Sequence, residues 1–226
     1  MHLLLFIFMI MKHFKVIEQL SFNKRGELVC KKPSGRSYQK AHYKQGDLDG
    51  ACGAYSLSMV LNILGVFEAD DLYKNTEEHD KRTVEWKLIK SLNEWGLYPN
   101  GLKTTSIEEL VTKNYSKYVT IESTGKKASI PFIVKEFIDK NNPVILGIDY
   151  KNGGGHWIVA VGYAMDDDQK LSHILTLDPG NDTPKYSLWN GILNIQRDYR
   201  KIFGFHYFSD KEYIVSLEEA IIIRKK

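Results

Sequence analysis

Between residues 51 and 64, Leu57, Val60, Leu61 and Leu64 recur at spacings of three and four, which predicts a helix with one apolar face. Gly65 supplies its stop and Asp49 its N-cap, making Cys52 the third helical residue. Residues 83–95 repeat the pattern with Val84, Leu88, Leu92 and Trp95 on one face, ending at Gly96. Thr105, Ser106, Ile107 and Glu108 read as a capping box that opens a short helix to about Val111. Residues 131–140 give another helix, with Ile133, Val134, Phe137 and Ile138 inward and Pro131 in the first turn. Past Asn142 and Pro143 the period changes. Residues 144–149 (VILGID), 156–163 (HWIVAVGY) and 174–178 (ILTLD) are apolar runs of strand length, and Asp166, Asp167 and Asp168 mark a turn between the last two. Later strands are expected at 185–188, 203–208 and 220–224. A short strand at 27–30 and a turn at Pro33, Ser34 and Gly35 interrupt a polar stretch over 14–44. Helices first and a mostly antiparallel sheet second make this an α+β chain rather than an alternating α/β one.

No internal repeat or low-complexity tract divides the 226 residues. The expected organisation is a single domain over 11–226: an arm at 11–44, a helical lobe at 45–141 and a sheet lobe at 142–226. The nine residues Leu3 to Met11 are apolar but too few to span a bilayer. No Lys or Arg precedes them and no small-residue cleavage site follows, so residues 1–10 read as a mis-assigned start, or as a short apolar leader. A composition 43% apolar and 26% charged supplies a core and argues against disorder, and a net charge of +3 gives no reason to invoke nucleic acid. Two cysteines exclude a disulfide framework, leave one Cys30–Cys52 bridge open, and point to a reducing, cytoplasmic setting. Delivery to another cell stays open.

The chemistry begins at Cys52. A cysteine early in a helix faces free backbone N–H groups and the positive end of the dipole, both of which favour thiolate. Asp47 and Asp49 work against this unless Asp49 is spent on capping. Taken alone, such a cysteine could equally be a small buried hydrophobe. His156 opens an apolar strand after Gly153, Gly154 and Gly155, where the glycines leave room for a ligand, and is the candidate base. If strands 156–163 and 174–178 pair antiparallel, the start of one lies beside the end of the other. Asp178 then reaches His156 and can orient it, a role compatible with an Asp-Pro-Gly turn. Gln45 is a candidate oxyanion donor beside the Cys52 backbone N–H, and Gly154, Gly155 and Trp157 are the candidate substrate-binding residues. His42 is the rival base. His79 lies in a charged run, and His173 and His206 have no evident partner. No metal-ligand spacing and no phosphate loop is present, so no metal or cofactor is expected.

In this order, Gln45, then Cys52, Gly53, Ala54, Tyr55 and Ser56 on a helix, then NNPVIL, GHWIVAVGY and LDPG, resemble the papain-like cysteine peptidases. The resemblance is closest to the bacterial branch of double-glycine leader peptidases. It covers roughly residues 45–180. It implies a papain-like fold in which a helical lobe carrying the cysteine helix packs on a sheet lobe carrying the histidine and aspartate. It also implies Cys52 as nucleophile, His156 as base, Asp178 as its orienter and Gln45 at the oxyanion hole. In that branch the glutamine more often lies six residues before the cysteine, against seven here, and the domain is fused to a transporter, for which the chain shows no membrane segment. The expected activity is amide hydrolysis through a thioester, most simply on a peptide or protein. A glutamine deamidase or toxin-like effector of the same fold, or a non-catalytic peptide-binding module, are the alternatives. Nucleic-acid partners and stable membrane insertion are not expected.

Overall fold

The computed structural model describes residues 14–46, 50–68, 80–94, 101–196, 198 and 200–226. The expected cap Asp49, its neighbour Asp47, His79, Trp95, Gly96 and the N-terminal apolar run lie outside these residues.

The helix that carries Cys52, α1 (Cys52–Ile63), is buried at every residue but Tyr55. The sequence shows one apolar stripe, yet the helix is central, because its small and polar residues are also taken in, the two buried serines with hydrogen-bond partners. Ser58 Oγ donates to Ala54 O at 2.8 Å, and Ser56 Oγ donates to Trp157 O at 3.1 Å. The helix starts at Cys52 with Ala51 as cap and no side-chain capping bond, so Cys52 is its first residue rather than its third. It stops as expected. Gly65 takes φ +66°, its N–H reaches Asn62 O at 2.9 Å, and Val66 N–H reaches Leu61 O at 2.9 Å, which satisfies the last carbonyls.

Three further helices follow: α2 (Val84–Glu94), α3 (Thr104–Tyr115) and α4 (Ile130–Asp139). The capping box at the start of α3 does not form. Thr105 lies inside the helix, Lys103 caps it without a side-chain bond, and Glu108 instead accepts from Ser123 Oγ at 2.6 Å. The helix also runs a turn beyond Val111, because Tyr115 is fully buried and its hydroxyl donates to Val84 O at 2.7 Å.

Strands β1 (Phe14–Val16), β2 (Ser21–Phe22), β3 (Leu28–Lys31) and β4 (Tyr38–Lys40) precede α1, and β2, β3 and β4 form a small sheet of their own. The main sheet contains β5 (Val119–Thr124), β6 (Val144–Tyr150), β7 (Gly155–Met165), β8 (Leu171–Leu177), β9 (Gly191–Asn194), β10 (Phe205–Phe208) and β11 (Glu212–Lys225). All its pairings are antiparallel. Strands β7, β6, β11, β10, β9 and β8 pair in that order and β8 pairs back with β7, so six strands close a ring. Closure leaves no open edge within the ring. β1 adds to β7 and β5 adds to β11 from outside it.

Mixed helices and an antiparallel sheet are the α+β class expected. Two strands are misplaced by the sequence. Residues 185–188 form no strand, and the strand in this region is β9, six residues later. β11 is nearly three times the expected length, because it serves β10, β6 and β5 in succession along its course and bends at a bulge between Leu217 and Glu219. The hairpin between β7 and β8 turns where the acidic run predicts: Asp166 N–H donates to Lys170 O at 2.8 Å.

Candidate active site

Helix α1 packs across β7, and two contacts next to Cys52 and His156 fix how they meet. Ser56, one helical turn beyond Cys52, is bonded to the carbonyl of Trp157, the residue after His156. Gly53 lies flat on the Trp157 indole: a Cβ there would stand 3.1 Å from Cδ1 and 3.0 Å from Leu102 Cβ. The indole N–H in turn donates to Leu102 O at 2.8 Å, holding the opposite wall. Trp157 therefore does two things. It spaces the helix from the sheet, and its exposed part lines a cleft.

That cleft, about 690 Å³, is lined by Cys52, His156 and Trp157, by Gly154 and Gly155, by residues 101–105 and by the acidic side chains Asp149, Glu218 and Glu219. A Cβ on Gly154 would meet nothing within 4 Å, so this turn leaves open space on the wall of the cleft. Cys52 is 8% exposed, and its access is through the cleft. Cys30 is fully buried elsewhere and both cysteines are free, so the bridge left open by the sequence is absent.

The register of β7 with β8 sets Val159 opposite Leu177, which puts Asp178 alongside the start of β7. His156 Nε2 donates to Asp178 Oδ1 at 2.6 Å. That contact spends Nε2 and leaves Nδ1 as the ring nitrogen for the Cys52 sulfur. Burial opposes charge on the imidazole, but hydrogen bonds to Asp178 and to Cys52, with their charges, outweigh it and pull the His156 pKa up to about 9. For Asp178 the balance runs the other way. Burial pushes the carboxyl up, yet His156, Tyr207 and the Gly180 N–H together hold it below the ordinary range.

Three residues that the sequence analysis did not single out complete this pair. Tyr207, fully buried on β10, donates to Asp178 Oδ2 at 2.7 Å. Gly180 N–H donates to Oδ1 at 2.7 Å, and a Cβ on Gly180 would stand 3.1 Å from Asp178 Oδ1, in tight contact, and 3.6 Å from the imidazole. Tyr150 stacks on His156, with centroids 6.0 Å apart and planes 26° apart. Gly180 was legible in the Asp-Pro-Gly turn. For Tyr207, in the run Phe-His-Tyr-Phe, no local signal existed.

The rival base His42 is fully buried, with both ring nitrogens engaged away from the thiol. Nε2 meets Asp178 O at 2.8 Å and Nδ1 meets Thr183 Oγ1 at 3.0 Å. Gln45 is not among the residues lining the cleft. Its backbone N–H donates to Pro179 O at 2.8 Å. Its side-chain Oε1 is buried with no hydrogen-bond partner among the described residues. His206 has a partner after all, Glu212 at 2.5 Å on the surface, and His173 meets Ser172 Oγ at 3.0 Å. Among the described residues no group of three or more His, Cys, Asp or Glu could hold a metal ion, and no helix is long and apolar enough to cross a membrane.

Residues 36–203 match the model of the Peptidase_C39 like family. The chain belongs to the Peptidase_C39-like family. No curated protein matches it. Among solved structures, UfSP from C. elegans is similar at 13% identity and a TM-score of 0.42, over 94% of this chain and 34% of that one. This member of the Peptidase_C39-like family therefore spans about a third of that protein's chain.

Proposed function

We propose that this peptidase hydrolyses amides through Cys52 as nucleophile, His156 as base and then acid, and Asp178 as the group that orients His156. The observation that carries the reading is the 2.6 Å contact of His156 Nε2 with a buried Asp178, beside a thiol that lines the cleft. His156 takes the Cys52 proton, and the sulfur attacks the substrate carbonyl carbon. Negative charge gathers on the carbonyl oxygen near the start of α1. There the Cys52 N–H, one of the free donors of a helix N-terminus, can meet it. Gln45 is proposed as the second donor through its side-chain amide. The C–N bond breaks as His156 passes its proton to the leaving amine, giving a thioester. Water, deprotonated by His156, then attacks the thioester, frees the acid and restores the thiol. The same steps on a glutamine side chain would release ammonia. Membership of a peptidase family supports the peptide bond. The two free thiols support a reducing compartment.

The test is alkylation of Cys52 by iodoacetamide, followed by mass spectrometry in the wild type and in His156→Ala. At pH 6 the variant is expected to react about tenfold more slowly or worse. Cys30 serves as an internal control and stays unlabelled, because burial pushes its thiol up to about 12. Equal rates in the two proteins would remove His156 as the partner of the thiol and with it the mechanism.

A further inference from the structure

Asp178 sits one residue past the end of β8, where no ladder holds the backbone. A carboxylate can point reproducibly only if the main chain beneath it is fixed. Here the fixing comes from two places. Asn190, just before β9, accepts the Asp178 N–H on Oδ1 at 2.6 Å and donates from Nδ2 to Asp178 O at 3.0 Å and Asp182 O at 3.1 Å. The other place is the stretch leading into the Cys52 helix. His42 Nε2 reaches Asp178 O at 2.8 Å, Gln45 N–H reaches Pro179 O at 2.8 Å, and Lys44 pairs with Asp182 at 2.8 Å.

Asp178 O, which can only accept, stands closer to His42 Nε2 at 2.8 Å than the donor Asn190 Nδ2 at 3.2 Å, which places the His42 proton on Nε2 and leaves Nδ1 to accept from the Thr183 hydroxyl. Burial favours this neutral form. The imidazole therefore bridges two points of the 178–183 loop, the backbone of Asp178 and the side chain of Thr183. It does so from a residue ten positions before Cys52. Nothing in a merely structural histidine requires its two bonds to fall on the residue that orients His156 and on that residue's own loop.

Resting on the Cys52–His156–Asp178 reading, we infer that His42 is a positioning residue, which locks the main chain of Asp178 so that its carboxylate stays on His156 Nε2. It acts through Asp178 and touches neither the thiol nor the His156 ring. Asn190 and Thr183 are its partners in the same clamp.

The test reads His156 directly, by NMR titration of its imidazole in the wild type, His42→Ala, His42→Gln and Thr183→Val. In His42→Ala the His156 midpoint is expected to fall from about 9, by about one pH unit or more toward the ordinary histidine value. His42→Gln places an amide N–H where Nε2 stands and is expected to restore most of the shift. Thr183→Val, which frees only Nδ1, is expected to move it part of the way. An unchanged midpoint in folded His42→Ala overturns the inference. Should that variant not fold, an unchanged midpoint in Thr183→Val does so. Alanine and glutamine variants that shift alike would also overturn it, since a donor at Nε2 would then not matter. The readout needs no substrate and no reactive thiol. Failure of the hydrolase reading would show instead in Cys52 alkylation of the wild type.

Discussion

His156 and Asp178 stand 2.6 Å apart in a nearly dry setting, their side chains 9% and 2% exposed. The pair makes stability depend on pH in a defined window. For His156 the folded pKa of about 9 lies above the ordinary value of 6.5. The folded state therefore holds a proton that the unfolded chain has already released. The stabilisation is fully present below 6.5 and is lost as pH rises through 9. A rise of that size corresponds to about 3 kcal/mol at most. For Asp178 the folded value is depressed, so its share is present above the ordinary carboxylate value and is lost as pH falls through the folded one. Urea unfolding of the wild type from pH 6 to 10 is expected to show a midpoint that declines most between 7 and 9. His156→Gln is expected to flatten that decline.

The same pair sets an order among substitutions. Cys52→Ala removes the nucleophile and is expected to abolish hydrolysis of a fluorogenic peptide library with the fold intact. His156→Ala removes the proton carrier and should cost about 10³-fold in kcat/KM, within the usual range for a general base. Asp178→Ala leaves the imidazole in place but unoriented, with Tyr207 and the Gly180 N–H facing a void. Its loss of activity should be smaller than that of His156→Ala, accompanied by a lower Tm. Equal mild losses in all three variants would remove the assignment.

How much of this was legible follows from what each feature depends on. The cysteine helix, the β7–β8 hairpin and the meeting of His156 with Asp178 rest on local period and on a turn signal, and the pattern of residues carries both. Cys52 as first helical residue was missed because the expected cap at Asp49 is a propensity, whereas the observed start at Ala51 has no side-chain cap. The strand expected at 185–188 does not form: the stretch is a loop in which Tyr186 is 98% exposed. β9 then begins only after Asn190, whose side chain is committed to Asp178. His42 was read from the sequence as a rival base rather than as a partner of Asp178, and Tyr207 was not singled out. They reach Asp178 across 136 and 29 residues, and long-range packing alone decides such contacts.

Gly191 shows how tightly this packing constrains the chain. A Cβ there would overlap the Tyr207 hydroxyl and would stand 2.5 Å from Thr176 Oγ1. Gly191→Ala is expected to push the Tyr207 hydroxyl off Asp178 and to destabilise the fold by about 1–3 kcal/mol, the usual cost of overpacking. Tyr207→Phe removes the hydroxyl, so the double variant should lose less than the sum of the two singles, with part of the clash against Thr176 remaining. A thermodynamic cycle from urea unfolding measures the coupling. Strict additivity would mean that the glycine does not make room for the tyrosine.

The acidic wall of the cleft yields the last prediction. Glu219 Oε2 is buried with no hydrogen-bond partner among the described residues. Burial first, and then the charges of Glu218, Asp149 and Glu108, raise its carboxyl above the ordinary value, with Lys127 opposing. Lys127 is already paired with Glu218. A carboxyl raised on folding stabilises only while it keeps its proton. Its contribution is therefore present below the unfolded value and is lost as pH climbs through the folded one. Glu219→Gln never acquires the charge. It is expected to raise Tm at pH 8 by an amount on the order of 1–2 °C, with the gain shrinking to nothing near pH 4. Thermal unfolding of both proteins at the two pH values decides the matter. A gain that is the same at both would mean that the carboxylate is not the source of the penalty.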